Sequence, residues 1–490
     1  MSTALNHTSA IPVSQHILVI GGGPSGLVTL RNLRERGKFD HVELYERRGD
    51  VGGVWFYDEK CDATSSKNKP HWPTPAYEGM IGNVLPEFLS FSGHPFPEPP
   101  STPHQPFPTL TETHHYLQKF AEPFLKSGVI KLNREVVRVE ELSGKGGWRV
   151  ITRDWNAGGR EEDELWDAVV VAVGWHDNPV WPETEGLDEL RNRGLAKHAK
   201  SWQGPDEYVD KVFNTSYVLY PVLKNVQKAL VVGNANSSND IAAQLAPISN
   251  GPVYQSIRRP AFPGFVSLPD ERITMVPSVS NYTLKISPDG AKFDALLSDG
   301  TLLVDLDTVQ VGSGYKILPS FIHVFNEAEK MLLQLVTNDT KPHRVPSLHR
   351  LILYAFNPSL AFVGAPMSYT PFTIADVVST WLALAWSGET PYPNTVDGRL
   401  AYEKERMAAI DKWRNEIQNP SSLMVYNVLG QGEQEYAKAL KEDIVKARPE
   451  LDAVLPEWSD RRTALREAMH RTKFEALKFA REHGVSEVQG

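Results

Sequence analysis

The sequence predicts an α/β protein with two Rossmann-like dinucleotide-binding domains, the second inserted into a discontinuous first. Two observations carry that prediction. An apolar strand, Ile17-Leu18-Val19-Ile20, runs into Gly21-Gly22-Gly23-Pro24-Ser25-Gly26 and then a helix whose face is marked by Leu27, Leu30 and Leu33. A second strand, Ala229-Leu230-Val231-Val232, runs into Gly233-Asn234-Ala235-Asn236-Ser237-Ser238. Each strand–turn–helix can seat a pyrophosphate on free N–H groups at the positive end of a helix dipole. A chain that holds two dinucleotides is most simply built to pass a hydride between them. The expected division is 1–200 and 307–490 for the discontinuous domain, ending in a helical region, with 201–306 as the insert.

In the first turn Gly21, Gly23 and Gly26 fill the places needed for a tight bend, for close approach to phosphate and for packing the helix on the strand. Pro24 and Ser25 open the helix. The next strand, His41-Val42-Glu43-Leu44-Tyr45, ends on Glu46, twenty residues after Gly26, which is the usual place for the acid that binds a ribose 2′-hydroxyl. Gly52-Gly53-Val54-Trp55 follows. Two glycines before an aromatic suit either the close approach of backbone to a flat ring system or a plain turn beside a core tryptophan.

The second turn has Ala235 and Ser238 where the second and third glycines would stand. Their Cβ atoms crowd the phosphate. Ser237, Ser238 and the Asn239 amide are expected to hydrogen-bond it, at the start of a helix that includes Asp240, Ile241 and Leu245. The strand Val253–Ile257 ends on Arg258-Arg259 and not on an acid, with Arg258 twenty residues after Ser238. A guanidinium there suits a 2′-phosphate. The second nucleotide is therefore expected to be NADPH.

Composition narrows the function classes. The chain has 490 residues, enough for two or three domains. Its formal charge is −9 with Lys and Arg spread evenly, so no electrostatic case exists for nucleic acid. The single cysteine, Cys61, excludes internal disulfides and the dithiol of a flavin disulfide reductase. No apolar run reaches the roughly 20 residues of an integral membrane span; Trp381–Trp386 stops short. Residues 1–15 lack a secretion pattern, so a cytoplasmic protein is expected. No Ser-His-Asp or Cys-His grouping and no metal-ligand cluster is recognisable.

Residues 91–108 hold seven prolines and are expected to form an extended loop. Ala168–Val173 reads as a buried parallel strand that Gly174 lets turn away sharply. Asn178-Pro179, Trp181-Pro182 and Gly186 read as a connector. Val309-Gln310-Val311, before Gly312-Ser313-Gly314-Tyr315, reads as a strand, with Val309 re-entering the first domain. Leu465, Met469 and Leu477 mark a terminal helix with a stop at Gly484, packed against the first domain or used in a homodimer contact.

This order of motifs resembles the flavin-containing monooxygenase family over most of residues 15–390. The resemblance rests on Gly21 through Gly26, Glu46, Gly53-Val54-Trp55, Val173-Gly174, Ser237 through Asp240, Ser256-x-Arg258-Arg259 and Gly312-Ser313-Gly314-Tyr315. It also rests on Tyr77 followed by Gly82-Asn83-Val84-Leu85-Pro86, and on Gly194-x-x-x-His198-x-x-x-Trp202. The last signature departs from the family pattern. Asn192 stands where Phe is expected, and the closing residue is Trp, as in the related Baeyer–Villiger monooxygenases. Outside the family, His198 reads as a linker histidine, Trp202 as an aromatic filling a seam, and Asn83 as a turn residue before Pro86.

The resemblance implies FAD in the discontinuous domain and NADPH in the inserted one. It implies FAD or NADP contacts from Arg47, Val54, Val84, Val136, Gly174, His198 and Trp202 besides the turn residues. Asn83 becomes the catalytic candidate, near C4a of the flavin. The implied reaction inserts one oxygen atom of O2 into a small-molecule substrate through a C4a-hydroperoxyflavin, by N- or S-oxygenation. Cofactors would do the hard chemistry and the fold would orient them and exclude water. Three alternatives stay open: Baeyer–Villiger oxidation of a ketone, an NADPH dehydrogenase or electron-transfer flavoprotein, and a scaffold that only retains FAD.

Overall fold

The computed structural model describes residues 16–58, 70–98, 104–143, 146–208, 228–260, 264–288, 290–417 and 425–483. Cys61, Pro99, Pro100, Pro103, residues 1–15 and the helix stop at Gly484 lie outside the described residues. The chain divides into two compact units, each assembled from three segments. The first takes Met1–Trp72, Val84–Trp175 and Ile317–Ala468, and the second takes Pro73–Asn83, His176–Lys316 and Met469–Gly490.

In the first unit β1 (His16–Ile20), α1 (Pro24–Arg36) and β2 (His41–Glu46) form the expected βαβ opening. After α2 (Leu110–Lys126), β3 (Ile130–Leu132) joins β2 in parallel. Thr109 caps α2 in a capping box with Glu112, which is why the helix starts where the proline-rich loop ends. A meander of β4 (Arg134–Glu141), β5 (Trp148–Asp154) and β6 (Arg160–Trp166) precedes the buried strand β7 (Ala168–Val171). The unit's third segment adds β16 (Ile322–Asn326), β17 (Met331–Gln334), β18 (Leu348–His349), β19 (Leu353–Tyr354), β20 (Leu360–Phe362), α5 (Pro371–Trp386), α6 (Val396–Glu416) and α7 (Glu433–Ala447).

The main sheet runs β18-β19-β20-β7-β1-β2-β3. Side chains alternate across it, so Ile17 and Val19 enter a core with α1 and α5 while Leu18 and Ile20 enter another with Trp148, Val150 and Ile322 of the meander sheet. Both faces are covered, and strands such as Ala168–Val171 are accordingly continuous apolar runs. Helix α5 is buried along its length from Phe372, as an apolar-all-round helix must be.

The second unit contains α3 (Leu187–Asn192), β8 (Ala196–His198), β9 (Ala229–Val232), α4 (Asn236–Leu245), β10 (Val253–Ser256), β11 (Ile273–Val276) and β15 (Thr308–Val311). Its parallel sheet has the order β11-β10-β9-β15-β8. An antiparallel ribbon of β12 (Val279–Ser287), β13 (Gly290–Leu297) and β14 (Leu302–Leu306) lies between β11 and β15 in the chain. Here one expectation is corrected. Val309 does not return to the first domain, because β15 pairs in parallel with β9, Val309 opposite Leu230, and on its other edge with β8.

The terminal helix α8 (Asp460–His483) is longer than its apolar spacing suggested. Within the first unit Arg462 pairs with Glu87, and from Met469 the helix counts with the second unit, where Lys473 reaches the Gly82 carbonyl.

Candidate functional site

Both glycine turns sit where their sheets reverse strand order. Beyond β1 the chain moves outward to β2 and β3, then returns on the other side as β7; beyond β9 it moves to β10 and β11, then returns as β15. Such a crevice at the carboxyl ends of parallel strands is where open α/β sheets bind ligands.

The first turn is closed by contacts that only glycine permits. Gly21 has φ +107°, and a Cβ on Gly26 would lie 1.8 Å from the Gly21 oxygen. The Gly52-Gly53 segment lies directly on the turn. Gly52 N–H donates to the Gly22 oxygen at 2.8 Å, and a Cβ on Gly53 would lie 2.9 Å from the Gly23 Cα. The α1 N-terminus has no side-chain cap and no acid in its first turn, so its N–H groups are available to an anion. Ser25 lies close under Gly364, and Val54 and Trp55 form a short helical turn with the indole against the core.

Glu46 is 6% exposed and serves the turn before it serves any ligand. Its Oε2 accepts from Gly22 N–H at 2.6 Å and its Oε1 from Arg48 N–H at 2.9 Å. A carboxylate offers about four lone-pair sites, so roughly two remain for the two hydroxyls of a ribose. The residues present therefore fit a dinucleotide. The Arg48 guanidinium, unnoticed in the sequence, donates to the Gly53 oxygen at 2.9 Å and ties the strand end to the second glycine pair. Arg47 stacks its guanidinium 5.4 Å from the Trp72 ring centre. Val84 and Val136 are half-buried, each against a different core of the first unit. Gly174 is exposed just past β7, and its φ is not left-handed.

In the second cradle Gly233 has φ +117° and α4 begins without a side-chain cap at Ala235. Two expectations are corrected here. The Ser238 hydroxyl points inward, 3.3 Å from both the Val232 and Gly312 oxygens, and the residue is fully buried. The Asn239 amide is likewise occupied, accepting from Gln255 at 3.0 Å and donating to the Phe265 oxygen at 3.3 Å. Both side chains lock α4 onto the sheet. An incoming phosphate is left with the exposed Ser237 and the helix N–H groups. Asp240 accepts from the Tyr77 hydroxyl at 2.8 Å. Arg258, two residues past the end of β10, is exposed and forms no ion pair among the described residues, so its fork is open to a 2′-phosphate.

Trp202 is the third correction. It is 1% exposed, stacked on Tyr208 with ring centres 5.6 Å apart, and its Nε1 donates to Gln244 at 3.2 Å. It is a core residue of the second unit with no face open to a ligand. His198, 4% exposed, accepts at Nδ1 from Lys200 N–H at 3.1 Å and lies between the Trp181 and Tyr315 rings. Burial, only partly offset by the Gly314 backbone, lowers its pKa to about 4. Asn83 is exposed and makes no hydrogen bond with other described residues.

Two buried carboxylates escaped sequence reading. Glu433, 0% exposed, accepts from Ser368 Oγ at 2.8 Å, Tyr369 N–H at 2.7 Å and Thr370 Oγ1 at 2.6 Å, and so braces the turn that leaves Met367 exposed. Asp376 accepts from Arg31 at 3.0 Å, Asn32 at 3.0 Å and Ser92 N–H at 2.6 Å, fastening the proline-rich loop to α1 and α5. The hint of the second lay in α1, where Arg31 and Arg36, two of its three arginines, are buried with Asn32. No cluster able to hold a metal ion exists among the described residues.

Two glycine turns at reversals of strand order, one beside a buried carboxylate and the other followed by an exposed arginine, are what a two-dinucleotide flavoprotein oxidoreductase requires. The chain belongs to the flavin-binding monooxygenase-like family, whose model matches residues 14–260 and so spans both cradles. Flavin-containing monooxygenase FMO GS-OX4 of Arabidopsis thaliana is 28% identical over 416 residues, covering 81% of this chain and 80% of that protein. Among solved structures, S-allyl-L-cysteine S-oxygenase from Allium sativum superposes with a TM-score of 0.68 at 24% identity, over 97% of this chain and 95% of that one. Cyclohexanone monooxygenase from Rhodococcus sp. Phi1 bound to NADP+ gives 0.56 at 12% identity, over 88% and 97%. These two likenesses establish the shared fold. The protein is an NADPH-dependent flavin monooxygenase with FAD and NADPH as cofactors, acting with O2 on a small molecule. Among the described residues no helix is long and apolar enough to cross a membrane.

Proposed function

We propose that this enzyme oxygenates a soft nucleophilic atom, the nitrogen of an amine or the sulfur of a thioether, in a small-molecule substrate. When bound, FAD would supply the hydride-accepting and oxygen-activating chemistry, with NADPH and a proton as reductant, one atom of O2 going to the substrate and the other leaving as water. We assign FAD to the first compact unit, with Gly21–Gly26 and the α1 N-terminus at its pyrophosphate, Glu46 at its ribose, and Gly53-Val54-Trp55 beside its ring. NADPH is assigned to the second unit, with Ser237 and the α4 N-terminus at the pyrophosphate and Arg258 at the 2′-phosphate. Asn83 is assigned as the polar group that acts on the flavin during oxygen transfer.

The observation that carries the reading is the pairing of unlike strand ends, the buried Glu46 carboxylate in one cradle and the open Arg258 guanidinium in the other. Oxygen transfer to nitrogen or sulfur needs no cation at the site, and its nucleophile is the substrate itself. That suits an exposed neutral amide such as Asn83. Trp202, the residue that pointed toward ketone oxidation, is spent inside the core. The S-oxygenase likeness over almost the whole chain adds support.

The test is incubation of the FAD-loaded enzyme with NADPH and oxygen against tertiary amines, thioethers and cyclic ketones, with products identified by mass. N-oxides or sulfoxides are expected. Lactones alone, or NADPH consumption ending only in peroxide, would overturn the proposal.

A further inference from the structure

The segment that presents Asn83 has almost no structure of its own. Pro73–Asn83 belongs to no named strand or helix; its backbone makes an isolated bridge at Ile81 and one turn, Met80 N–H to the Tyr77 oxygen at 3.2 Å. Backbone without a ladder is mobile unless side chains fasten it. Two side-chain fasteners lie within the second unit. At one end the Tyr77 hydroxyl donates to Asp240 Oδ2 at 2.8 Å, with the Tyr77 ring against the cluster around Trp202. At the other, Lys473 of α8 donates from Nζ to the Gly82 oxygen at 3.0 Å. Gly82 is buried and Asn83 follows it directly.

We propose that Lys473 is a positioning residue for Asn83. An ammonium on a carbonyl makes a charge-assisted hydrogen bond, stronger than a neutral one. Here it fixes the peptide that enters Asn83, and Tyr77 with Asp240 fixes the other end of the same segment. A residue some 390 positions later in the chain thus sets the direction of the amide through the backbone. The inference rests on the role given to Asn83 above.

The experiment compares the wild type with Lys473→Met, Lys473→Arg and Tyr77→Phe. The first readout is hydrogen–deuterium exchange of the cofactor-free protein. Lys473→Met is expected to raise exchange of the peptide spanning 73–85 about tenfold, with the peptides of β1–α1 and β9–α4 unchanged, and Lys473→Arg to restore it. Tyr77→Phe, which removes one oxygen, raises exchange in the same peptide and covers the case in which Lys473→Met does not fold. The second readout is the share of NADPH that ends in oxygenated product. Lys473→Met lowers it severalfold at unchanged KM for NADPH, and lowers it no further in an Asn83→Ala background. Unchanged exchange in both Lys473→Met and Tyr77→Phe, or an additional loss in the Asn83→Ala background, would overturn the proposal. Raised exchange combined with an Asn83→Ala enzyme of full product yield would sink the role of Asn83 and leave the fastening intact.

Discussion

The Glu46 carboxylate and the Gly22 N–H meet at 2.6 Å, so the acid that ends β2 also closes the glycine turn that follows β1. One side chain thereby ties the shape of the glycine turn to the strand end proposed for the ribose. Glu46→Gln would turn an N–H donor toward Gly22 or Arg48, both already donors. We expect FAD affinity to fall by about 10- to 100-fold, the cost of a lost hydrogen bond to a charged group. Titration of the apoenzyme with FAD, followed by flavin fluorescence, measures it.

Gly23 and Gly26 should fail differently when replaced by alanine. A methyl on Gly26 would collide with the Gly21 oxygen at 1.8 Å, whereas one on Gly23 meets only ordinary contact with the Gly53 Cα at 3.5 Å. Gly26→Ala should lose about 3 kcal/mol or more of stability, an overpacking cost. Gly23→Ala should keep the wild-type Tm in the apo form and still bind FAD poorly. Thermal unfolding of both apoproteins separates the two cases.

Arg258→Ala should change coenzyme preference with little effect on stability, since the residue is exposed. A charge-assisted bond to a 2′-phosphate is worth about 1.5–3 kcal/mol, so kcat/KM for NADPH should drop by about 10- to 100-fold. The value for NADH should barely move. An equal loss with both coenzymes would remove Arg258 from the 2′-phosphate site.

Asp376 is fully buried. Burial by itself would raise its pKa, but Arg31, Arg36, Asn32 and the Ser92 N–H together hold it below the usual carboxylate value. A depressed acid contributes stability above its unfolded pKa, near 3.9, and that contribution fades as the pH falls through the lower folded value. Asp376→Asn leaves two guanidinium groups buried without a counter-charge and should cost about 3–5 kcal/mol at neutral pH. Denaturant unfolding should show the gap between wild type and variant narrowing below about pH 4.

His198 titrates in the opposite chemical sense, with the same direction of pH dependence. Its folded pKa of about 4 lies below the ordinary value near 6.5, so the unfolded chain takes up the proton first as the solution is acidified. Stability conferred by the neutral ring is complete above about pH 6.5 and is lost between there and about pH 4. Imidazole NMR signals of His198 should stay those of the neutral ring down to that range, and a His198→Gln variant should show a shallower stability loss across it.

The parts of the fold that sequence reading reached are those whose signal is local. A strand, three glycines, a helix and an acid twenty residues on lie within one stretch of chain, and Gly21–Gly26 with Glu46 fold as that stretch requires. Val309 went astray because a short apolar run can pair with any parallel neighbour, and its register with Leu230 is chosen by long-range closure of the sheet. Ser238, Asn239 and Trp202 were misread because a motif names residues but not the direction of their side chains. Ser238 takes the third-glycine place, where the helix presses on the sheet, and there a hydroxyl can only turn to the Gly312 carbonyl. Glu433 and Asp376 were missed because a buried carboxylate is recognisable only by partners, and Asp376 finds Arg31 from 345 positions away.

The second unit draws on Pro73–Asn83, His176–Lys316 and the chain from Met469 onward, and this ordering bears on how the protein is made. The tyrosine of its first piece is synthesised long before the helix that carries Asp240, and far longer before the lysine that meets Gly82. During translation the early piece must therefore wait, unanchored, while most of the remaining polypeptide emerges from the ribosome. Release of a nascent chain truncated ahead of that lysine would yield a product whose sheets can close and whose early segment is held at Tyr77 but not at Gly82.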